Sequence, residues 1–460
     1  MLGLVVLSIS ASLIAGIIVK LVLDWLPRAS QITWVELSIG MAIISIIVAP
    51  LASWIGWSTA VANVLSFKEY WNGWELEAVE EIVACEINSP CRYEYECNCR
   101  MVCSSPLDDD DCITWKEECD DCPYFNFERN VYIRTTVGDR PIAWLAPEDY
   151  AAEQITSTLP FGFGSRDYVT PQFWLDCQTR VERGRPGPVT VRATYDNYIL
   201  ASGGTILRQH SSMIDQYLEA GLLPPIQHAV YNHYYADKAS FVGYEAEDEA
   251  AWQTALMVLN AALGSDLQGD LHLVIVQDPN ASINPDAYIL ALKAYWQNPD
   301  VWGDNCLSKN GIAVVIGTTD GETADWARAQ TGMPLGNEQL LVAIRNQLKG
   351  VALTPERVIG RVQGEFYVRE EDGKRTVRGT GESGVLRRVL WGLDAPQTKF
   401  VRISMSGDDP QDLGGGFLYL DSEIQPKPGQ RLAIVIVTFL LCCAVWLVFA
   451  VIGERKKKEG

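Results

Sequence analysis

Eight cysteines lie within 38 residues of this chain, and thiols this close together either pair as disulfides or bind a metal. Turn-forming stretches such as NSP and SSPLDDDD separate them, with few apolar side chains, so burial alone cannot order the segment. In an oxidising compartment this even set predicts disulfides, for which 105 pairings exist. The set is Cys85, Cys91, Cys97, Cys99, Cys103, Cys112, Cys119 and Cys122.

Zinc is the alternative for the same thiols. Cys97, Cys99 and Cys103 could act as ligands together with the Cys119-x-x-Cys122 pair, although the two CxxC pairs of a zinc ribbon are missing. Unpaired thiols are a further alternative. Cys177 and Cys306 either pair with each other or stay as buried thiols.

Other chemical motifs are weak. The glycine-rich GTGESG follows a charged hairpin instead of a buried strand, which does not favour dinucleotide binding, and no G-x-S-x-G is present. The histidines lack the spacing of a zincin helix and are predicted to be surface or hydrogen-bonded side chains. They are His210, His228, His233 and His272.

Three apolar runs are long enough to cross a bilayer. The last contains 22 residues without a charge, and about 20 suffice. The first two runs are joined by a short PRAS turn. No positive charge precedes the first run, and this favours a retained helix over a cleavable signal peptide. We predict transmembrane helices at 2–26, 33–57 and 431–453.

The basic residues give the orientation. The tail 454–460 (ERKKKEG) belongs in the cytoplasm by the positive-inside rule, and counting crossings back places Lys20 and Arg28 on the same side. We therefore predict a multi-pass cell-membrane protein with a large extracytoplasmic domain, where disulfides are favoured over zinc. A net charge of −21 disfavours nucleic acid as a partner.

The predicted ectodomain has three parts: a Cys-rich segment (58–125), a mixed α/β region (126–239) and an α/β domain (240–425). In the last, apolar runs predict strands at 271–278, 311–319 and 323–332, with helices between and after them. This alternation predicts a layered α/β sandwich with a central sheet. FVRISMSG and GGGFLYLDSEI are predicted to close it as strands.

LHLVIVQD, followed by a helix and KNGIAVVIGTTDGETADWARAQTGMPLGNEQL, resembles the TPM domain of extracytoplasmic bacterial proteins and of a thylakoid-lumen photosystem repair protein. The matching features are the Asn310-Gly311 step into a buried strand, the turn at Asp320-Gly321, and Thr331-Gly332 before the next helix. The resemblance covers about residues 240–392. It implies a TPM-like three-layer sandwich, here with a disulfide-rich segment, an N-terminal helical hairpin and a C-terminal helix as tethers.

For some TPM members a metal-dependent acid phosphatase activity and calcium binding have been proposed. Carried over by position, the acidic groups at the ends of the strands are Asp278 and Asp320, and Asp325 on the third strand could be a neighbouring ligand. Such carboxylates can bind Ca²⁺, the one cofactor implied. The alternative is that these aspartates cap turns.

Two functions follow from these expectations. The first is a binding or assembly module in the envelope, whose partners are the lipid bilayer and another membrane or cell-surface protein. The second is a cation-dependent, phosphatase-like hydrolase that uses the strand-end aspartates. Transport is disfavoured because no central charged pair lines the three spans.

Overall fold

The computed structural model of the chain describes residues 2–25, 33–84, 93–103, 106–108, 111–112, 115–124, 127–141, 172–202, 211–227, 237–333, 335–360, 367–371, 374–378, 383–406 and 416–459. The helices are α1 (Leu2–Trp25), α2 (Trp34–Ile43), α3 (Ala49–Leu65), α4 (Gln172–Glu182), α5 (Tyr198–Ala201), α6 (Ser211–Glu219), α7 (Glu249–Leu267), α8 (Pro285–Trp296), α9 (Pro299–Trp302), α10 (Glu338–Leu348), α11 (Pro355–Val358), α12 (Val385–Leu390) and α13 (Pro428–Glu459). The strands are β1 (Ser66–Ala84), β2 (Tyr93–Cys103), β3 (Pro106–Asp108), β4 (Asp111–Cys112), β5 (Trp115–Tyr124), β6 (Phe127–Thr135), β7 (Arg140–Pro141), β8 (Pro188–Asp196), β9 (Ala239–Val242), β10 (Asp270–Gln277), β11 (Gly311–Thr318), β12 (Trp326–Thr331), β13 (Tyr367–Glu371) and β14 (Lys374–Arg378).

All three apolar runs are helical and long enough to cross a membrane. The spans contain 21 residues in α1, 32 in the continuous helix Trp34–Leu65, and 19 in α13. A hydrocarbon core of about 30 Å needs about 20 helical residues. The second helix continues to Leu65, beyond the predicted end at residue 57, since no glycine or proline interrupts STAVANVL.

The continuous second helix contains one wide turn. Residues Ile44–Val48 form a π-helical stretch, in which the Ala49 N–H donates to the Ile44 carbonyl five residues back. Pro50 follows directly and has no N–H to offer to an α-helical ladder. A local change of hydrogen-bond pattern next to proline is a common way for a helix to continue.

The three apolar helices pack on one another as a bundle. Trp446 of α13 lies against Gly16 of α1, where an added Cβ would come within 2.4 Å of the indole ring. Ile434 lies against Gly56 of α3 in the same way, at 3.0 Å. Small residues at such crossings let helices approach closely in a membrane.

The bundle has two distinct ends. At one end, Lys20 donates to Asp24 and lies 4.7 Å from the centroid of the Trp34 ring. The basic tail of α13 extends from this same end. Strand β1 leaves from the opposite end, where α3 ends and α13 begins, so the folded domain and the tail lie at opposite ends of the bundle.

A four-stranded sheet forms the centre of the α/β domain. Its order is β12-β11-β10-β9, with β9, β10 and β11 parallel and β12 antiparallel to β11. Every residue of β11 is buried, as is nearly all of β10, which explains why both appear in the sequence as continuous apolar runs. Strand β12 instead alternates half-buried and buried positions, and all three predicted strands are confirmed.

Side chains from the two faces of this sheet fill two separate cores. Leu271, Leu273 and Ile275 pack with apolar side chains of α7, α10 and α12. Val274 and Val276 point the other way and pack with α6 and α8. The three-layer arrangement is therefore present, whereas its relation to the TPM domain stays a prediction.

A second sheet, ordered β7-β6-β1-β8, is built around the long strand β1. Residues 66–74 of β1 pair antiparallel with β8, and residues from Glu75 onward pair with β6. Side chains 69–70 and 72–76 are buried, whereas 77–79 are only half-buried. With 19 residues at about 3.3 Å each, β1 spans about 60 Å and leaves the core beyond Leu76.

The Cys-rich segment follows β1 as a ribbon. Strands β2 and β5 pair antiparallel with an irregularity between Cys97 and Arg100, and β3 pairs with β4. Ala84 and Phe127 face each other in the β1–β6 ladder and close the base of the ribbon. The hairpin predicted within 366–379 is also present, as β13 and β14.

The two closing strands are wrong predictions. Residues 401–404 have no regular structure, and Leu418–Glu423 form a 3-10 helix. The side chain of Asn337 takes the place of a neighbouring strand, since its amide donates to the Val401 carbonyl and its oxygen accepts from the Val401 N–H. Because Asn337 satisfies the N–H and carbonyl of Val401, this segment does not pair with a neighbouring strand, although its apolar residues alternate.

Candidate functional site

The three aspartates predicted to bind a cation lie at one edge of the central sheet. The Asp278 N–H donates to the Thr318 carbonyl at 2.8 Å, and the Asp325 N–H donates to the Gly317 carbonyl at 2.9 Å. Asp320 lies two residues after Thr318, the last residue of β11. The backbone therefore brings these positions to the edge where β10 and β11 end, as expected.

Each of these carboxylates accepts hydrogen bonds from its own turn. Asp278 accepts from the Ser282 hydroxyl at 2.9 Å and from the Ile283 N–H at 2.6 Å. Asp320 accepts from the backbone N–H groups of Glu322 and Thr323, at 2.8 and 3.0 Å. These hydrogen bonds lower the pKa of Asp320, and the bond from Thr323 has the largest effect.

Asp325 behaves in the same way. One of its oxygens accepts from the N–H and the hydroxyl of Thr319, at 2.6 and 2.8 Å. Calcium takes six to eight converging oxygen ligands. Within the described parts of the chain, no group of three or more His, Cys, Asp or Glu side chains is placed to hold a metal ion. The contacts match the turn-capping alternative, and the calcium site stays a prediction.

A second polar cluster lies at the opposite edge of the same sheet, where β9 and β10 begin. Asp270 is fully buried, and Lys238, His272 and Asn72 are each at most 2% exposed. One oxygen of Asp270, Oδ1, accepts from Lys238 Nζ and, at 2.8 Å, from Asn72 Nδ2. Its other oxygen is 3.2 Å from His272 Nε2.

Neighbouring groups fix the members of this cluster. The Thr190 hydroxyl, directly opposite on β8, donates to Asn72 Oδ1 at 2.8 Å. The Lys238 carbonyl accepts from the Leu273 N–H at 3.0 Å. Lys238 Nζ also lies 5.4 Å from the centroid of the Tyr70 ring. The side chains of this cluster therefore come from β1, β8 and β10, together with Lys238 directly before β9.

Burial governs the charges in the cluster. It lowers the pKa of Lys238 and of His272, because a buried cation loses its hydration. Burial acts to raise the pKa of Asp270, but the charges of Lys238 and His272 outweigh it and the pKa is lowered. Since breaking a buried ion pair leaves an uncompensated charge, the cluster fixes how β1 sits on the central sheet.

Two further buried carboxylates of β1 are paired in the same way. Glu75 accepts from Arg180 of α4 at 2.6 and 3.0 Å and from the Gly187 N–H at 2.9 Å. Glu69 accepts from Arg402 at 2.8 Å, and Lys309 lies 3.7 Å away. Strand β1 thus carries its polar side chains into the interior, where each finds a partner from a distant segment.

The structure places the Cys-rich thiols only in part. Cys85 and Cys91 lie outside the described residues, and the other six are on β2, β4 and β5, where the backbone is described and the side chains are not. The ladder puts Cys119 opposite the irregularity that contains Cys99. The disulfide prediction for this segment therefore stays a prediction.

The four remaining cysteines are free thiols. Cys177 and Cys306 are both free and buried. Of the two alternatives, a disulfide between them or two separate buried thiols, the structure has the second. Burial raises the pKa of Cys177, and raises that of Cys306 to about 12. Neither is therefore a thiolate nucleophile at neutral pH.

Two cavities lie where the folded domain meets the helix bundle. One, of about 590 Å³, is lined by Asn63, Phe67, Asp304 and Lys427 among others. The second, of about 700 Å³, has apolar walls from Leu4, Leu7 and Leu432. Arg431 and Gln425 line both, and the guanidinium is held by the Gln425 side chain at 2.6 Å.

Comparison with known proteins gives no relative. No family model, no curated protein and no solved structure matches the chain. Fold and contacts therefore carry the functional conclusion.

Sequence reasoning did not single out Lys238, Asp270 or Asn72. Lys238 stands directly before β9 and Asp270 is the first residue of β10, which is a weak signal because charged residues often flank strands on the surface. His272 was expected to be a surface or hydrogen-bonded side chain, and it is buried and bonded to Asp270.

Proposed function

We propose that the protein is a membrane-anchored, TPM-domain-like module that binds or assembles another membrane or cell-surface protein. Its large domain lies outside the cell membrane, and its basic tail lies in the cytoplasm. The observation that supports this most is strand β1, which continues from membrane helix α3, passes through the folded core and carries the Cys-rich ribbon beyond it.

The coupling of these parts suits a scaffold. Glu69 and Glu75 of β1 are buried and paired with cations from other segments, and Asn72 bonds to Asp270. Such contacts hold the strand in one position relative to the sheet. The ribbon is thereby presented at a defined distance from the bilayer, and disulfides within it would keep its shape without a core of its own.

The strand-end aspartates favour binding over hydrolysis. A cation-dependent hydrolase needs carboxylate oxygens that converge on an open coordination position. Here Asp278, Asp320 and Asp325 each accept hydrogen bonds from their own turns. The orientation is supported by Lys20 and the basic tail lying at the same end of the bundle.

The test replaces the ribbon and leaves the core unchanged. Ala84 faces Phe127 in the β1–β6 ladder, so a short Gly-Asn turn can replace residues 85–126. The full-length chain and the ribbon-replaced chain are both expressed in the native membrane with a photo-crosslinker. The crosslinker is placed on β6 as the probe position and, separately, on the tail side as the control position. We expect one defined crosslinked partner from β6 of the full chain, lost on ribbon replacement while the melting temperature changes little.

The hydrolase alternative is tested on the same preparation. Purified full chain is assayed with p-nitrophenyl phosphate at acidic and neutral pH, with Ca²⁺, Mg²⁺, Mn²⁺ or none. The proposal expects no turnover above that of the Asp278→Ala, Asp320→Ala double variant. Cation-dependent turnover that this variant loses would refute the binding-module proposal in favour of the enzyme.

A further inference from the structure

The enclosed cluster at the start of β9 and β10 brings together an amine, a carboxamide and a carboxyl group. Lys238 Nζ and Asn72 Nδ2 donate to the same atom, Oδ1 of Asp270. All three residues are at most 2% exposed. Because both nitrogens donate to one oxygen atom within a buried site, the amine and the carboxamide are neighbours, and such proximity makes an intramolecular reaction fast.

We propose that Lys238 and Asn72 form an intramolecular isopeptide bond, with Asp270 as the catalytic residue that transfers the protons and ammonia as the leaving group. Nothing in the proposed binding function requires this bond. It is a covalent modification that the chain makes on itself after folding.

The step balances without a co-reactant. A proton moves from the Lys238 ammonium to Asp270 along their hydrogen bond, which leaves a neutral amine and a carboxylic acid. The Nζ–Cγ bond to Asn72 then forms and the Cγ–Nδ2 bond breaks, while a second amine proton reaches Nδ2 through Asp270. Ammonia leaves, the new amide keeps one hydrogen, and Asp270 ends as the carboxylic acid.

Two features of the surroundings favour this step. Burial lowers the pKa of Lys238 toward the neutral, nucleophilic amine. The Thr190 hydroxyl donates to Asn72 Oδ1, the atom on which negative charge develops when the amine attacks.

Close packing keeps the site dry. Gly264 of α7 lies on the backbone of Asn72, so near that a Cβ would come within 2.0 Å of the Asn72 carbonyl oxygen. The Tyr70 ring lies beside Lys238 Nζ. Water that would compete as a nucleophile, or keep the amine protonated, is thereby excluded.

The bond would join two segments far apart in sequence. It would connect β1, which comes directly from membrane helix α3, to the residue before β9 at the edge of the central sheet. A cross-link over so long a loop restricts the unfolded chain strongly. The folded domain would then stay attached to its membrane strand even when local packing is lost.

Peptide mass spectrometry of the wild-type chain tests the proposal directly. The purified full chain is reduced, alkylated and digested with trypsin, which cleaves after lysine and arginine. Without the bond, peptides 69–92 and 209–238 appear separately. With it, Lys238 resists cleavage, and peptide 69–92 is found joined to 209–293, about 17 Da (ammonia) lighter than the sum of the two.

Three results would overturn the proposal, and none depends on a variant that might not fold. The first is the detection of peptides 69–92 and 209–238 as separate species, each at its full mass. The second is a loss of about 17 Da within peptide 69–92 with normal cleavage at Lys238, which is a cyclic imide at Asn72-Gly73. The third is a loss of about 18 Da with Lys238 joined to Asp270, which makes water the leaving group.

Two variants then assign the roles. Lys238→Arg keeps a cation beside Asp270 but offers no amine nucleophile, and Asp270→Asn removes the proton transfer while keeping the shape. Both are expected to give the unlinked peptides quantitatively. A linked species in Asp270→Asn at the wild-type yield would refute the catalytic role of Asp270.

Discussion

Replacing Gly264 with alanine tests whether β1 is fixed against helix α7. Glycine in the interior of a helix costs about 1 kcal/mol relative to alanine, so by helix propensity alone the substitution is stabilising. At this position, however, the new Cβ would meet three backbone atoms of Asn72 at 2.0, 2.7 and 2.8 Å. Ordinary contact begins at 3.4 Å, so helix and strand must separate by about 3.4 − 2.0 = 1.4 Å.

The magnitude follows from which atoms collide. Backbone atoms cannot rotate away, so the cost of overpacking should reach the upper part of its usual range, about 3 kcal/mol. After the propensity gain of about 1 kcal/mol, the free energy of unfolding should fall by about 2 kcal/mol. For a domain of this size that lowers the melting temperature by about 4–8 °C.

The assay is thermal and guanidinium unfolding of the full chain in detergent, followed by tryptophan fluorescence. Gly429→Ala is the matched control, because nothing lies within 4 Å of its Cβ position in α13. It should change the melting temperature by less than the scatter between preparations. A Gly264→Ala chain as stable as wild type, or more stable, would refute the close packing of α7 on β1.

Three further predictions concern the bundle, the buried cluster and the strand-end turns. Gly16→Val should lower the melting temperature of the helix bundle in detergent, because the Trp446 ring occupies the space of the new side chain, whereas Gly3→Val, with nothing within 4 Å, should not. Burial lowers the pKa of His272, so the unfolded chain takes up a proton first as the pH falls through about 6.5, and the free energy of unfolding should decline from pH 7 to pH 5. His272→Gln should flatten that decline in guanidinium titrations. An unchanged slope in the variant would contradict the prediction. Asp278→Ala should lower the free energy of unfolding by about 1–3 kcal/mol, because the hydrogen bonds within its turn are lost. The loss should be the same with and without Ca²⁺. A loss seen only with Ca²⁺ would instead indicate a cation site.

The elements that local sequence specifies were predictable. Strands β10 and β11 are continuous apolar runs because both of their faces are covered, and the pattern alone shows this. The N-cap of helix α7 is Asp248, whose carboxylate accepts from the Ala251 N–H, and acidic residues before an apolar run are a recognisable start. The three helices that are long and apolar enough to cross a membrane are equally clear by length and composition.

The role of β1 could not be predicted, because its partners are distant in sequence. Glu69, Asn72 and Glu75 are of residue types that are mostly exposed in proteins, yet each is buried against a segment more than a hundred residues away. No local pattern distinguishes a buried, paired carboxylate from an exposed one. The strand-end aspartates show the opposite error, since carboxylates at the expected edge are occupied by turn hydrogen bonds.

The wide turn at Ile44–Val48 sets the rotational phase of the rest of its helix. An α-helix advances about 100° per residue, so one extra residue in a turn rotates everything after it by that angle. Gly56, which lies beyond the turn, faces Ile434 of α13 in this phase. Deleting one residue from the stretch would turn Gly56 away from α13, and would rotate the start of β1 with it. Five residues in this apolar helix thereby determine which way strand β1 faces.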